Sequence, residues 1–524
     1  MNIVSFSPFG YEGSIVTVEV DLRRGIPAVD MVGLADSAVK EARERMRSAI
    51  VNSGFEFPKE RVLISLSPAD LKKEGAGFDL AIALSVLLAQ KNFETNQKER
   101  DGSVLVMGEL ELSGNVRPVR GVHAALSTAL ESGVKNCIVC SENATEALGV
   151  KGINVYECKT LQQAFQNLMA ICETQDVQTE KNNVTPVSRL CKVEFPPVEE
   201  GMDFDQIYGL PTLVRGLQIA ASGGHNLIAF GPPGCGKTLA LQRFPSLLPY
   251  LDDEEAQCVT RIYSLAGLIR PNQTLIRKKP FRMPHQSASL EGMCGGGVHC
   301  MPGEISLAHD GVLFLDEASE FRTSALQMLR VPLEQKCITL SRAGRHTTYP
   351  ANFQLLLATN PCPCGNFGDK EKICLCSARS VEQHWKKFSA PLLDRIDIRV
   401  QVNNSSKKMI SPTEKSENPY ENISTQELRV QIGTAIENQK NRQGKLNVHL
   451  TPEEINYYCK LNSECSEYLA QKTAEYDFSS RAVHSCIKLA RTIADMKSSY
   501  DISIEDLQEA IEFRKNEGGL SICF

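Results

Sequence analysis

The chain has 524 residues, of which 42% are hydrophobic and 23% are charged. This composition excludes a fibrous or wholly disordered protein, and the length predicts roughly three domains. The formal net charge of −6, together with a single Trp and only 6% aromatic residues, excludes a globally basic surface and broad base-stacking platforms for nucleic acid.

The first residues of the chain contain neither a basic segment nor a long apolar segment, so the sequence predicts no export signal. The longest apolar stretch, residues 80–89, is much shorter than the ~20 residues that a membrane span needs, and we interpret it as a buried helix. The 18 cysteines are therefore expected to be reduced thiols in a cytoplasmic protein that does not contact a membrane. A metal site is expected only where they cluster.

The first expected domain, residues 1–169, mixes strands and helices. Alternating apolar residues and short apolar runs predict strands, and apolar residues at helical spacing predict helices. The predicted elements are strands at 15–22, 62–66 and 136–140, helices at 36–51 and 124–130, and a hairpin after residues 104–107 with Gly114 and Asn115 at its turn.

Two polar stretches without periodicity are expected to be linkers, at 170–203 and 403–424. Between them, residues 204–402 alternate buried strands with helices. Residues 425–524 are expected to be helical, with Ser479 and Ser503 as N-caps of two of the helices.

The strongest functional signal is a phosphate-binding loop, G-x-x-x-x-G-K-[ST], which follows an apolar strand and precedes a helix that starts at Thr238. Its glycines let backbone N–H groups turn toward phosphate oxygens, and the helix N-terminus adds positive potential. Lys237 would neutralise the β- and γ-phosphate charge of ATP, and Thr238 would ligate Mg²⁺. The predicted nucleotide-binding residues are Gly231, Pro232, Pro233, Gly234, Cys235, Gly236, Lys237 and Thr238.

Two further apolar strands end in polar residues. The strand at 311–315 is followed by Asp316, which can reach the Mg²⁺ shell, and by Glu317, which can polarise the attacking water as general base. The strand at 353–359 is followed by Asn360, which could position that water or sense the γ-phosphate.

This order of elements, followed by Leu392, Leu393, Asp394 and Arg395 and by a late helical Arg481, resembles an AAA+ ATPase. Residues 302–309, which run into the strand at 311–315, and residues 360–365 are similar to the magnesium-chelatase-like AAA ATPases of the YifB/ComM family. The resemblance covers nearly the whole chain. It implies an α/β fold: an AAA+ P-loop core with a parallel sheet and a C-terminal helical lid, preceded by an α+β Lon-protease-like N-terminal domain.

The resemblance also implies roles for individual residues. Asn360 would be sensor 1, Arg395 the arginine finger that reaches the nucleotide of a neighbouring subunit, and Arg481 the sensor-2 arginine. Ile207 and Tyr208 would line the adenine pocket. An arginine supplied by a neighbour links hydrolysis to subunit contact, so the resemblance implies a homo-oligomeric ring, a hexamer. The alternative for each arginine is a surface ion pair.

In this group of proteins an insert and a hairpin project into the pore of the ring. Residues 287–302 fit the insert and contain three successive glycines, which no regular element favours. Residues 337–349 fit the hairpin and predict two strands joined by a basic tip. Arg342 and Arg345 are the candidate contacts to single-stranded or branched DNA, because a ring of subunits would concentrate their charge. The alternative is a solvated turn.

The first domain resembles the Lon-type protease fold over residues 73–80, 107–110 and 120–123. A working Lon-type enzyme needs a serine nucleophile activated by a lysine, and in this chain Gly77 and His123 occupy those positions. We therefore predict no peptidase activity. The alternative is a shifted register that uses Ser85 and Lys73, although Ser85 falls inside an apolar helical run.

Four cysteines, Cys362, Cys364, Cys374 and Cys376, form a C-x-C…C-x-C pattern with nine residues between the pairs. Four thiolates can enclose Zn²⁺ tetrahedrally, so the pattern predicts a structural zinc site. The alternative is four free thiols in a loop.

The resemblance implies an ATPase that couples hydrolysis to translocation on DNA, with branch migration in recombination. The alternative is a protein-remodelling or chelatase-type motor that acts on a partner protein. The basic hairpin favours the DNA motor. A third reading, a non-enzymatic ATP-dependent scaffold, is disfavoured by the adjacent carboxylates of Asp316 and Glu317.

Overall fold

In the computed structural model the described residues are 1–33, 37–69, 73, 75–95, 102–174, 192–270, 272–342, 345–368, 372–402 and 422–515. Half of the first expected linker, residues 175–191, and most of the second, residues 403–421, lie outside them. The same is true of Ala343, Gly344 and the side chain of Arg345 at the tip of the expected hairpin.

The N-terminal region, residues 1–174, is built on a mixed seven-stranded sheet in the order β3-β4-β2-β1-β5-β8-β9. Its strands are β1 (Asn2–Ser7), β2 (Ser14–Arg23), β3 (Val29–Val32), β4 (Arg61–Ser67), β5 (Ser103–Met107), β6 (Glu109–Leu110), β7 (Val116–Arg117), β8 (Asn136–Cys140) and β9 (Asn154–Cys158). Its helices are α1 (Ser37–Asn52), α2 (Asp79–Thr95), α3 (Val122–Glu131), α4 (Ser141–Ala147) and α5 (Leu161–Thr174). The expected hairpin is confirmed, because β6 pairs with β7.

The apolar run at 80–89 is part of α2, which confirms a buried helix. Its side chains from Leu80 to Leu87 are buried in the core of the N-terminal region. Ser85 is buried in this helix and its Oγ donates to the carbonyl oxygen of Ala81, 2.8 Å away. Lys73 Nζ donates to the carbonyl oxygen of Pro68.

The central region, residues 192–402, contains a five-stranded parallel sheet in the order β11-β14-β17-β10-β18. Its strands are β10 (Leu227–Phe230), β11 (Phe281–Arg282), β12 (Gly295–Gly296), β13 (Met301–Pro302), β14 (Val312–Leu315), β15 (Cys337–Arg342), β16 (Arg345–Pro350), β17 (Gln354–Thr359) and β18 (Ile398–Gln401). Its helices are α6 (Pro211–Gly223), α7 (Lys237–Gln242), α8 (Asp253–Ala266), α9 (Leu290–Cys294), α10 (Glu304–Leu307), α11 (Thr323–Met328), α12 (Arg330–Gln335), α13 (Ala378–Lys386) and α14 (Ala390–Leu393). Strands β10 and β14 are buried along their whole length, as expected of a parallel sheet covered on both faces.

The C-terminal region, residues 422–515, is helical as expected. It consists of α15 (Thr425–Gln443), α16 (Pro452–Tyr458), α17 (Ser463–Tyr476), α18 (Ser480–Met496) and α19 (Ile504–Arg514). The two expected N-caps are confirmed, because the side chains of Ser479 and Ser503 accept hydrogen bonds from the first turns of α18 and α19. The architecture confirms the α/β fold with a helical C-terminal region. None of the described helices is both long enough and apolar enough to cross a lipid bilayer.

The glycine run at 295–297 differs from expectation, because Gly295 and Gly296 form the short strand β12 and pair with β13. Gly295 has a φ of 95°, and a Cβ there would lie 2.4 Å from the carbonyl oxygen of Met301. The close pairing of the two strands therefore depends on the absence of a side chain, which explains why a sequence that disfavours strands forms one here.

The N-terminal region packs against helix α8 of the central region through a buried polar network. His123 Nε2 lies 2.8 Å from Oε1 of Gln257. The carboxylate of Glu146 accepts a hydrogen bond from the backbone N–H of His123 and another from Oγ of Ser264. His123, which the Lon-type resemblance is expected to place at the lysine position of the dyad, therefore lies at the contact between the two regions.

This contact should be sensitive to acid. Burial lowers the pKa of His123 to about 4, with a smaller opposing effect of the Gln257 side chain. Because the folded-state pKa lies below the unfolded value of about 6.5, the folded protein excludes a proton, and stability is lost as the pH falls from 6.5 toward 4. We expect His123→Gln, which cannot titrate, to gain about 3 kcal/mol relative to the wild type over this window. Thermal unfolding at stepped pH measures the difference, and parallel pH profiles for the two proteins would contradict it.

Candidate nucleotide-binding site

The phosphate-binding loop runs from the end of β10 to the start of α7. Gly234 and Gly236 have φ values of 79° and 87°, in the left-handed region that favours glycine. At Gly231 the constraint is space, because a Cβ would lie 2.1 Å from the carbonyl oxygen of Val402. The glycines of the motif therefore serve two purposes: two shape the loop, and one allows it to pass close to the end of β18.

The charged and hydroxyl side chains of the loop are held in place by neighbouring groups. Lys237 is buried, and its Nζ donates to the carbonyl oxygens of Gly231 and Pro232 at 2.7 and 2.8 Å. Thr238 Oγ1 donates to Oδ1 of Asp316 at 3.0 Å. A hydroxyl from α7 and a carboxylate from the end of β14 thus lie side by side, and both are oxygen ligands of the kind that Mg²⁺ prefers.

Glu317 follows Asp316 with a φ of 46°, an uncommon backbone conformation for a residue with a side chain. Its backbone N–H donates to Oδ1 of Asp316 at 3.0 Å, and its side chain is exposed. A strained backbone conformation persists only where the surrounding structure stabilises it. Such positions are concentrated at functional sites.

These residues line one cavity of about 350 Å³ at the carboxyl edge of the sheet. Its lining consists of Pro233, Gly234, Cys235, Gly236, Lys237, Thr238, Leu239, Asp316, Glu317, Ala358, Thr359 and Asn360. The cavity offers a buried ammonium, a glycine loop at a helix start, and a paired hydroxyl and carboxylate. This donor set fits a nucleotide triphosphate with Mg²⁺.

A larger cavity of about 640 Å³ lies at the opposite, amino-terminal edge of the sheet, next to Gly311, Val312 and Gln354. It contains none of the loop residues. In open α/β sheets ligands bind outside the carboxyl ends of the strands, so the smaller cavity is the candidate site.

The two arginines expected from the resemblance do not line this cavity. Arg395 Nη2 donates to Oε2 of Glu334 at 2.5 Å, and Arg481 Nη2 lies 3.9 Å from the other oxygen of the same carboxylate. The Arg395 guanidinium, with a smaller effect of Arg481, lowers the pKa of Glu334. The sequence gives no reason to single out Glu334, because nothing in its local pattern distinguishes it from an ordinary glutamate on the surface of a helix such as α12.

The two residues expected at the adenine pocket differ in exposure. Ile207 is buried, whereas Tyr208 is 42% exposed. Neither lines the 350 Å³ cavity, but the segment that carries them reaches the loop, since a Cβ on Gly236 would lie 3.2 Å from Cδ1 of Leu210.

The four clustered cysteines come together in the structure. Their sulfur atoms all lie within 4.8 Å of one another. Three pairs are 3.3, 3.7 and 3.6 Å apart, close to the edge of about 3.8 Å that a tetrahedron with Zn–S bonds of about 2.3 Å has, and far beyond a disulfide bond of about 2.05 Å. The thiols titrate differently: a hydrogen bond from the backbone of Asn366 is the main cause that lowers the pKa of Cys364 to about 6, whereas burial raises the pKa of Cys374 to about 12, so the sulfur–sulfur distances carry the argument for a metal. The cluster therefore fits a tetrahedral zinc ion.

The expected hairpin is formed by β15 and β16, with Arg342 and Arg345 as register partners nearest the tip. The Arg342 side chain is exposed. At the base, one face of the hairpin packs on the N-terminal region: the backbone N–H of Tyr11 donates to Oγ1 of Thr347 at 2.9 Å, and the rings of Tyr11 and Tyr349 lie 5.8 Å apart. The N-terminal region thus supports the element that carries the basic tip.

A parallel sheet of this order, with a phosphate-binding loop after β10, acidic residues after β14 and a helical C-terminal region, defines an AAA+ P-loop ATPase. Family models agree with this class along the chain. The model described as magnesium chelatase, subunit ChlI, matches residues 203–410. Two further ChlI models match residues 18–143 and the C-terminal residues 422–514.

Two relatives that match nearly the whole chain show the family to which it belongs. The YifB protein of Escherichia coli strain K12 is 39% identical over 506 residues, which cover 96% of this chain and 95% of that protein. Competence protein ComM of Haemophilus influenzae is 36% identical over 513 residues, which cover 98% and 97%. A Lon protease of Koribacter versatilis is 27% identical over 178 residues, or 31% of this chain and 21% of that protein, consistent with a Lon-like N-terminal region. The chain belongs to the YifB/ComM family of magnesium-chelatase-like AAA+ proteins.

Membership of this family implies ATPase activity, the use of ATP and Mg²⁺, and oligomeric assembly.

The two kinds of glycine in the loop predict different costs of substitution. Gly231→Ala places a Cβ against the Val402 backbone, and such overpacking costs about 1–3 kcal/mol or more. Gly234→Ala meets no atom within 4 Å and should lose only the roughly 1–2 kcal/mol of a left-handed alanine. We expect the Gly231 variant to unfold at the lower temperature. An equal or reversed order in thermal unfolding would contradict the close approach to Val402.

Proposed function

We propose that this protein is a ring-forming ATPase that couples ATP hydrolysis to movement along single-stranded or branched DNA, with branch migration in recombination as its task. The observation that carries this proposal is the hairpin: β16 ends at Pro350, and the chain then runs through β17 to Asn360 in the nucleotide cavity. A basic tip and a nucleotide-sensing residue therefore belong to one continuous segment. The relative from Haemophilus influenzae is named as a competence protein, which agrees with this proposal.

In the proposed reaction each residue of the cavity has one task. Lys237 neutralises the β- and γ-phosphates, while Thr238 and Asp316 hold Mg²⁺, which supplies charge neutralisation at the phosphates when bound. Glu317 accepts a proton from the attacking water as general base, and Asn360 orients that water. Gly231, Pro232, Pro233, Gly234, Cys235 and Gly236 form the cradle, and Ile207 and Tyr208 contact the base.

Arg395 acts, in this proposal, on the nucleotide of a neighbouring subunit, and Arg481 is the sensor-2 arginine carried by the helical lid. Two observations support this assignment. Both arginines contact the carboxylate of Glu334, and neither lines the nucleotide cavity of its own chain. An arginine supplied by a neighbour makes turnover depend on assembly, which is how a ring coordinates its subunits. We propose a hexamer.

We further propose that the four clustered cysteines hold a structural zinc ion, on the basis of their sulfur–sulfur distances. The domain boundaries we propose are 1–169 for an inactive Lon-like domain, 204–402 for the ATPase core and 425–524 for the lid, with linkers at 170–203 and 403–424. A cytoplasmic location is supported by the described cysteines, which form no disulfide bonds with one another.

The alternative function is a motor that remodels a partner protein, which the match to the ChlI models favours. DNA separates the two functions, because only a DNA motor should hydrolyse ATP faster when DNA is added.

The hairpin predicts a defined effect on DNA binding. In the ATP-bound, hydrolysis-deficient Glu317→Gln background, we expect Arg342→Ala/Arg345→Ala to bind single-stranded and branched DNA more weakly. The slope of log affinity against log salt should decrease by about one for each phosphate contact removed, as measured by fluorescence anisotropy. Arg43→Ala, which removes an exposed arginine of α1, is the matched control and should bind normally. Equal binding by the double variant and the control, without any DNA effect on ATP turnover, would contradict the DNA motor.

Mixing experiments test the shared site. Arg395→Ala should bind ATP but lose about a thousandfold or more in turnover, the usual contribution of an arginine finger. Mixed with Glu317→Gln, it should regain activity, because each Arg395→Ala site then meets an intact arginine from a Glu317→Gln neighbour. The control mixture of Lys237→Ala with Glu317→Gln should stay inactive. Every chain in that mixture carries a change that disables its own nucleotide site. Failure of the first mixture, although mixed rings form, would show that Arg395 acts within its own chain.

A further inference from the structure

The cysteine cluster closes a loop that begins two residues after the nucleotide cavity's Asn360. Cys362 follows Asn360 by two residues, and Cys376 directly precedes Ser377, the N-cap of α13. The loop thus leads from the strand that ends in the cavity to a helix of the core.

Helix α13 holds the backbone of the two residues that precede the loop's first cysteine. His384 Nε2 lies 2.9 Å from the carbonyl oxygen of Asn360, and Trp385 Nε1 donates to the carbonyl oxygen of Pro361 at 2.9 Å. The Trp385 ring is fully buried against Phe230, 5.6 Å between ring centres. Phe230 is the last residue of β10 before the phosphate loop, so α13 contacts the ends of two of the three strands that lead into the cavity, β10 and β17.

The turn of the cysteine loop touches the phosphate loop itself. Gly365 has a φ of 79°, and a Cβ added there would lie 2.5 Å from Cδ of Pro233. Its backbone N–H donates to the carbonyl oxygen of Cys362 at 3.0 Å, which fixes the turn relative to the first cysteine. Pro233 lines the nucleotide cavity, so the cysteine loop forms a wall behind the phosphate-binding residues.

Apolar packing holds only part of this loop. Phe367 packs against the core of the sheet, whereas Ile373 and Leu375 are 83% and 89% exposed. Cys362, by contrast, is buried in the core of the sheet. Segments without a core of their own need a cross-link, and four sulfur atoms at metal-binding distance supply one.

We propose that the thiolate cluster, when it holds zinc, is a strut that keeps Pro233 and Asn360 in position for the nucleotide, so that metal occupancy sets the affinity for ATP. The inference rests on the proposed nucleotide and zinc sites and adds a coupling between them. Cys362, Cys364, Cys374 and Cys376 are positioning residues in this scheme, because they act through Gly365 and α13 rather than on the phosphates.

The test measures metal and nucleotide separately on the full-length protein. Zinc content is determined with a chromogenic chelator after thiol release, and affinity is determined with a fluorescent ATP analogue in the presence of Mg²⁺. The wild type should hold about one zinc ion per chain. Cys364→Ser/Cys374→Ser should hold none and bind the analogue about tenfold more weakly, the order of effect of losing one fixed wall contact. Cys172→Ser, which changes a half-buried cysteine of α5, should match the wild type in both measurements.

Gly365→Ala separates the strut contact from the metal, because it leaves the four thiols in place. It should keep its zinc and still lose about tenfold in affinity for the analogue, as the added methyl group pushes against Pro233. Removing zinc from the wild type with a chelator should weaken binding of the analogue by a similar factor, and adding zinc back should restore it. This measurement tests the coupling even if the cysteine variant does not fold.

The outcomes are distinct. A wild type that binds no ATP analogue overturns the proposed nucleotide site itself. A wild type that binds the analogue but holds no zinc after reconstitution overturns the metal site. Zinc-free protein and Gly365→Ala that bind the analogue as tightly as the wild type overturn the coupling while both sites stand.

Discussion

Three neighbouring strands of a parallel sheet end at the same edge, and the rest of the molecule depends on that alignment. Phe230 of β10 is the register partner of Thr359 in β17, and Leu315 of β14 is the partner of Leu357. The residues that follow these strand ends are the phosphate loop, the two carboxylates and Asn360. Because the backbone hydrogen bonds set the strand register to within one residue, they place these groups around one cavity without any direct bond among most of them.

Strand β17 is also the point where the other parts of the protein meet. Upstream, it follows a hairpin whose base packs on Tyr11 of the N-terminal region. Downstream, it leads into the cysteine loop, which touches Pro233. A displacement of either attachment is transmitted along a strand that is buried in the core, and a packed core resists gradual deformation. The site is therefore mechanically connected both to the basic tip and to the N-terminal region.

The C-terminal region holds the segment that carries Arg395. Arg514 of α19 donates to the carbonyl oxygen and to the carboxylate of Asp394, and also to the carbonyl oxygen of Ile396. Burial would raise the pKa of Asp397, but hydrogen bonds from His225 and Ser485 outweigh it and lower the pKa to about 2. The contacts of Arg514 and Ser485 attach the residues on either side of Arg395 to the C-terminal region, while His225 attaches Asp397 to the central region. A rotation of the lid relative to the sheet would move the guanidinium with it, which gives the proposed arginine finger a physical connection to the state of the lid.

The sequence by itself determined the phosphate loop, the acidic strand end, the helical C-terminal region and the four-cysteine cluster. Each is specified by residues that are close in the chain, where spacing and apolar pattern act directly on local structure. It also led to a wrong expectation at Gly295 and Gly296, because their pairing depends on a close approach by Met301 rather than on propensity. Only the tertiary structure decided that Arg395 and Arg481 share Glu334, that His123 faces Gln257, and that Gly365 lies against Pro233. These partners are 61 residues apart for Arg395 and Glu334 and 134 apart for His123 and Gln257. Contacts at such separations are set by how the elements pack, and no local pattern of the chain encodes them.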